Sequence, residues 1–217
     1  MEPVPRKNKL HDSKPDTPVG VSSADRSIKG AGWQAASVIA IVACALVLAL
    51  IIKAFLFQPY IVDGQSMETT LQNNDRLLVN KIPRTIARID GQAYVPRRGD
   101  IIIFNQSGLP GYVGQKQLIK RVIGLPGDHV VIKNGSIVIY NSAHPHGFNP
   151  DTSDGYHIAA AITVGDIDLK LATGQIFVCG DNRNNSEDSR YFGPVNVNSV
   201  VGKLMLRILP LNKAERF

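Results

Sequence analysis

Two stretches of this chain, far apart in sequence, carry side chains able to perform acyl transfer together. The first is Val62-Asp63-Gly64-Gln65-Ser66-Met67-Glu68-Thr69-Thr70-Leu71, with a serine set between a glycine and an apolar methionine. The second is Lys120-Arg121-Val122-Ile123-Gly124-Leu125-Pro126-Gly127-Asp128. A hydroxyl and an amine from two segments readable as paired strands would make a serine nucleophile with a lysine base. Only a neutral amine accepts the hydroxyl proton, and an ordinary lysine, pKa about 10.4, is neutral roughly once in 2,500 at pH 7. Desolvation lowers such a pKa by ~3–5 units, so the pair requires an apolar, water-poor setting. Leu118, Ile119, Val122 and Ile123 supply apolar bulk around Lys120.

Other assignments of this chemistry are weaker. Gly64-Gln65-Ser66 is half of a G-x-S-x-G elbow, without its second glycine or an evident strand–turn–helix context. A histidine base is a rival, since triads are defined by geometry rather than order. His11 lies near the N-terminus and His144, His146 and His157 in an irregular region, which leaves His129 as the histidine alternative. A third stretch, Gly180-Asp181-Asn182-Arg183-Asn184-Asn185-Ser186-Glu187-Asp188-Ser189-Arg190, is dense in donors and acceptors. It reads as a self-satisfying network beneath a site, with Ser186 placed to hold the lysine amine and Asp188 and Arg190 forming a bracing ion pair.

The elements that must position these groups fit 217 residues, enough for one sizeable domain plus an appendage. The formal charge of +6 comes from scattered basic residues without any nucleic-acid-binding signature, so no nucleic-acid partner is expected. Anionic lipid suits that charge equally well. Residues 1–34 are polar and proline-bearing and read as a disordered tail. The run Ala35–Ile52 contains no charge, and with the residues to Phe57 it is long enough for a membrane anchor. No polar stripe marks it as a core helix, and Lys53-Ala54-Phe55-Leu56-Phe57 offers no signal-peptide cleavage site. Arg26 and Lys29 precede the run, which predicts a cytoplasmic N-terminus and a domain from residue 58 to 217 on the far side. Ser66 follows Ile52 closely enough to keep the site near the membrane surface.

Beyond residue 58 the pattern is mainly β. Residues 76–80, 100–104, 117–123 and 174–179 read as strands, and Asn134-Gly135 joins 130–133 to 136–140 in a type I′ hairpin. Long helical periods are missing. Residues 141–166 are loop-rich and look like an elaboration. Cys44 and Cys179 sit in dissimilar surroundings and are not expected to pair, and the histidines lack metal-ligand spacing. No metal is expected.

Taken together, these segments resemble bacterial type I signal peptidases, membrane-anchored Ser-Lys proteases of peptidase family S26. The resemblance spans residues 35 to about 207. It rests on the anchor, the Ser-Met segment, Asn74-Asp75-Arg76-Leu77-Leu78-Val79-Asn80-Lys81, Arg98-Gly99-Asp100, the Lys-Arg segment and the Gly-Asp-Asn-Arg segment, in the family's order. It implies an antiparallel β-sheet catalytic domain, of an architecture shared with self-cleaving repressors, carrying a small β insert at about 129–172. It further implies Ser66 as nucleophile, Lys120 as base, Ser186 as the serine orienting the lysine, and Asp181, Arg121, Asp188 and Arg190 as support. The oxyanion falls to the Ser66 N–H, since Gly64 stands where some members carry a helpful serine, and Thr69 replaces the usual proline. Substrate would pair with Tyr60, Ile61, Val62 and Asp63 on one side and Gln117, Leu118 and Ile119 on the other. The implied partners are preprotein signal peptides, membrane lipid and a neighbouring secretion translocon at the plasma membrane, with no cofactor. A soluble self-cleaving repressor and a non-catalytic anchored binding module are the rivals. Activity surviving a strong chelator is the expected outcome of a metal test.

Overall fold

The computed structural model describes residues 24–153, 158 and 162–217. The chain divides after Leu48. Up to that point the described chain is helical. α1 (Ala24–Ile51) continues into a π-helical turn, Ile52–Leu56. The run from Ala36 to Ile51 has neither glycine nor proline and is rich in alanine and leucine, which favours an uninterrupted helix. Side chains from Ala36 to Phe55 are exposed throughout, so the surface is apolar all round and uncovered. Ala36–Leu56 gives 21 residues long and apolar enough to cross a membrane, a length of about 31 Å.

From Ala49 onward the protein is built on antiparallel pairing. The strands are β1 (Phe57–Ile61), β2 (Arg76–Asn80), β3 (Ile101–Ser107), β4 (Gln115–Gly124), β5 (His129–Lys133), β6 (Ser136–Tyr140), β7 (Ile167–Lys170), β8 (Gln175–Cys179), β9 (Val195–Asn196), β10 (Val200–Leu209) and β11 (Glu215–Arg216). The main sheet runs β1-β2-β10-β3-β4-β8-β9, with β11 on β10, and a second sheet runs β6-β5-β7. Three short helices, α2 (Ile82–Ile89), α3 (Pro150–Ser153) and α4 (Ser189–Phe192), sit between strands. Period-two alternation divides the apolar residues of the main sheet between two faces. Ile102, Phe104, Val122, Ile176, Val178 and Val200 form one core. Ile123, Phe177 and Cys179 pack against Val130, Ile132, Ile137 and Ile139, which fastens the small sheet to the large one. A third core joins Val62, Met67, Leu71, Leu77, Ile101 and Leu204 under the first candidate stretch.

The fold is mainly antiparallel β, as the patterning predicts. Asn134 and Gly135 have φ of 54° and 77°, the positive values that a type I′ hairpin requires. Several expectations change. The Ser66 and Lys120 segments are not paired strands: β1 pairs with β2, β4 with β3 and β8, and Ser66 lies in a turn after β1. Packing, not a ladder, brings them together. α1 starts at Ala24, inside the stretch predicted as a tail, because helix extends cheaply from a formed apolar segment. Residues 1–23 of that tail, including His11, lie outside the described residues. Sequence patterning also passes over β10, the long strand between β2 and β3, and over α2, whose eight residues are too short for a sustained period.

β10 crosses β2 closely at Gly202. A Cβ there would sit 2.7 Å from the Asn80 carbonyl oxygen, a backbone atom held in register. Gly202→Ala should therefore cost about 1–3 kcal/mol, as overpacking does. Thermal unfolding in detergent is the check; an unchanged midpoint would mean that the two strands part freely.

Candidate active site

Ser66 opens the run of turns that follows β1. Gly64, at φ 106°, reverses the chain two residues earlier, a conformation that side chains disfavour. Met67 and Leu71 anchor the turn from below, both essentially fully buried. From above it is held by the Gly180 loop. The Asn182 N–H donates to the Ser66 carbonyl at 3.0 Å, and the Asn182 side chain donates to the Gln65 carbonyl at 3.1 Å. Gly180 is required here, since a Cβ would fall 2.4 Å from the Ser66 carbonyl oxygen and 2.2 Å from Ser186 Oγ.

Lys120 comes from β4, opposite Ile102 of β3, at the point where that strand passes from half-buried to buried. Its side chain ends 2.7 Å from Ser66 Oγ and donates to the Ile119 carbonyl at 3.0 Å. The residue is 3 % exposed. Burial pulls the amine down to about 8, against a smaller upward pull from Asp188, Cys179 and Glu187. At pH 7 such an amine is neutral about one time in ten, whereas an unperturbed lysine is neutral about once in 3,000. The pair therefore has the contact that proton removal from a hydroxyl requires, and burial raises the fraction of neutral amine available for it.

A groove of about 480 Å³ runs over the pair. Its walls are Tyr60, Ile61, Val62 and Asp63 on one side and Lys116, Gln117, Leu118 and Ile119 on the other, with Leu77 and Ile103 also lining it. In sheet order β1 and β4 are separated by β2, β10 and β3, so the sheet curls to bring them to one cleft. Both walls present strand edges. β1 terminates the sheet, and β8 pairs with β4 only from Arg121 onward, leaving Gln115–Lys120 bound on the β3 side alone among the described residues.

Beneath the groove lies a set of buried ion pairs. Arg121 Nε and Nη2 donate to the two oxygens of Asp181 at 2.8 and 2.6 Å, and Thr70 Oγ1 donates to the same carboxylate at 2.5 Å. Asp188 receives Arg190 Nε and Nη2, both at 2.8 Å, and the Gly180 N–H at 3.0 Å. Bidentate guanidinium–carboxylate contacts of this kind fix orientation as well as charge.

A model of the signal peptidase family, peptidase S26, matches residues 35–209. The chain belongs to this family. Signal peptidase I P of Bacillus subtilis subsp. natto is 34% identical over 171 residues, 78% of this chain and 86% of that protein. Signal peptidase I T of Bacillus subtilis (strain 168) is 34% identical over 187 residues, covering 85% and 88%. Probable signal peptidase I-1 of Synechocystis is also 34% identical, covering 78% and 80%. A crystal structure of a signal peptidase I from Enterococcus faecalis aligns at 31% identity with a TM-score of 0.37, covering 51% of this chain and 97% of that one.

In this signal peptidase family member, the structure brings together Ser66, Lys120, Asp181, Arg121, Asp188 and Arg190, and every expected groove residue lines the groove. Ser186 is the exception. It is buried beside Gly180, but its hydroxyl has no hydrogen-bond partner among the described residues, and Lys120 bonds Ser66 and Ile119 instead. His129 is removed from the chemistry: its Nε2 lies 2.6 Å from Asp168 on the small sheet. The Ser66 N–H donates to no backbone carbonyl among the described residues, so it remains open to an oxyanion. Cys44 and Cys179 are both free.

Sequence reasoning misses a buried pair at the clamping loop. Arg183 donates Nε to the Gly180 carbonyl at 3.1 Å, Nη2 to Asp151 at 2.5 Å and Nη1 to both Asp151 and Thr163. Asp151 and Thr163 belong to the irregular 141–166 region, where no pattern flags a structural partner. That region is thus tied to the loop that clamps Ser66. Arg183→Ala would strand the buried Asp151 carboxylate, and about 3–5 kcal/mol should be lost. The expected result is a lower unfolding midpoint together with impaired activity; Asp151→Asn, which keeps hydrogen-bonding capacity, should lose less on both.

Proposed function

We propose that this chain is a membrane-anchored signal peptidase I, which removes N-terminal signal peptides from exported preproteins by a Ser66–Lys120 dyad. The observation that carries the reading is the 2.7 Å contact between a desolvated amine and a hydroxyl at a strand-edged groove. The relatives named signal peptidase I align along most of their own length.

In this reading an extended preprotein segment lies between β1 and the first half of β4, adding main-chain hydrogen bonds to both edges. Val62, Leu77, Ile103 and Ile119 offer shallow apolar contacts, suited to small side chains one and three residues before the cut, in Ala-x-Ala-like sites. Neutral Lys120 takes the proton from Ser66 Oγ as Oγ attacks the scissile carbonyl. The Ser66 N–H donates to the developing oxyanion. As the intermediate collapses, the Lys120 ammonium returns its proton to the leaving amine and the mature protein departs. Water, deprotonated by the same amine, then attacks the ester, freeing the signal peptide and restoring the Ser66 hydroxyl. Arg121–Asp181 and Asp188–Arg190 hold the two loops in position, and Ser186 packs beside Gly180 in the same clamp. No step uses a metal or cofactor.

The helix Ala36–Leu56 is the anchor in the plasma membrane. Arg26 and Lys29 favour a cytoplasmic N-terminus, placing the β domain outside the cytoplasm, near the translocon from which preproteins emerge.

Ser66→Ala and Lys120→Ala should each abolish preprotein processing in detergent while leaving the unfolding midpoint near that of the unsubstituted chain. Near-normal cleavage by either variant would remove that residue from the mechanism. For the unsubstituted chain, kcat/KM should rise with pH and level off above about 8, the pH where the Lys120 amine loses its charge. A rate rising instead through the range near 6.5 would assign the base to a histidine.

A further inference from the structure

α2 leaves part of its apolar side exposed and carries basic residues that no acidic side chain among the described residues pairs with. Ile82, Ile86 and Ile89 recur at helical spacing along one side, while Arg84 and Arg88 fall on the opposite side. Ile86 and Ile89 are 53 % and 79 % exposed. Lys81, Arg84 and Arg88 form no ion pair among the described residues, and Asp90 at the C-cap is the nearest acidic residue in sequence to Arg84 and Arg88. The cations crowd one another: burial and then Arg88 lower Arg84, and burial and then Arg84 lower Lys81.

The position of this helix says what covers it. The Lys81 N–H donates to the Leu56 carbonyl at 2.7 Å, and Thr85 Oγ1 donates to the Phe55 carbonyl at 2.8 Å. These carbonyls are the last of the apolar span, so α2 is bonded directly to the end of the segment that leaves the bilayer. A helix with isoleucines on one face and arginines on the other, fixed at that depth, has the form of an interfacial helix. We propose that α2 lies in the outer bilayer interface, with Ile86 and Ile89 among acyl chains and Lys81, Arg84 and Arg88 on anionic lipid headgroups. Such a second attachment stops the β domain from swivelling on its anchor and holds the groove at a set height over the membrane. The proposal rests on the reading of Ala36–Leu56 as a membrane anchor.

The test uses the full chain reconstituted in vesicles, with Trp33→Phe removing the single native tryptophan. A reporter is then introduced as Ile89→Trp, or as Lys133→Trp on the small sheet for comparison. Brominated lipid should quench the tryptophan at 89 and spare that at 133, and the quenching should depend on anionic lipid. Arg84→Gln with Arg88→Gln should shift the docked-to-free ratio down about thirtyfold, at about fivefold for each charge. Equal, weak quenching at both positions in chain that co-floats with vesicles would overturn the proposal. So would strong quenching in purely zwitterionic vesicles, which leaves the cations without a role. Blue-shifted but unquenched emission at 89 would assign the face to a second copy of this chain. Chain that fails to co-float would refute the anchor itself, and loss of preprotein cleavage in detergent by the unsubstituted chain would refute the peptidase reading; both are separate from the quenching result.

Discussion

Everything near the groove depends on keeping the Lys120 amine out of water while leaving it in contact with Ser66. A fall from the ordinary 10.5 to about 8 corresponds to a shift of about 3 kcal/mol toward the neutral form. The folded protein bears that cost in full below pH 8, where the amine is charged in both the folded and unfolded states. The cost shrinks as pH rises from 8 toward 10.5 and disappears above it. Part of the stability gained by burial is therefore set against a reactive amine. Rigid packing must hold it there, because an exposed lysine would swing into solvent and regain its ordinary pKa.

The surroundings of the pair follow from this constraint. β4 alone cannot shield Lys120, since β8 reaches it only from Arg121 onward. The Gly180 loop supplies the missing cover, but it is polar and must have its groups satisfied to be buried. Its solution is three guanidinium–carboxylate pairs: Arg121–Asp181, Arg190–Asp188 and Arg183–Asp151. Buried pairs of this kind contribute little net stability, but breaking one is costly, so they serve to define a single arrangement. The loop thus works as a rigid clamp on the Ser66 carbonyl and not as a flexible cover.

The groove is also linked by sequence to the apolar helix. β1 begins one residue after the span ends, forms one wall of the groove, and leads within five residues of its end to Ser66. Ser66 thus follows the apolar span closely in sequence, and α2 is bonded to the end of that span.

The candidate groups were legible in the sequence because local order marks their residue types: a glycine-preceded serine, a lysine within apolar neighbours, a dense run of donors and acceptors. The apolar span and the Asn134-Gly135 hairpin were legible for a similar reason, since each is fixed by rules acting over a few residues. β10 was not, because its pattern is broken by bulges opposite both neighbours. The Arg183–Asp151 pair was not, because nothing near Asp151 distinguishes it from a loop aspartate on the surface. Nor did the sequence reveal that Ser186 would be left without a hydrogen bond while its neighbours were satisfied. The sequence by itself determined which groups were available, the mainly antiparallel architecture and the uncharged apolar run from Ala35 to Ile52. Only the tertiary structure decided that Ser66 and Lys120 touch, that the amine is dry, and that two strand edges face each other across one cleft. Those depend on how a sheet curls and on contacts between residues more than fifty positions apart, for which no local preference exists.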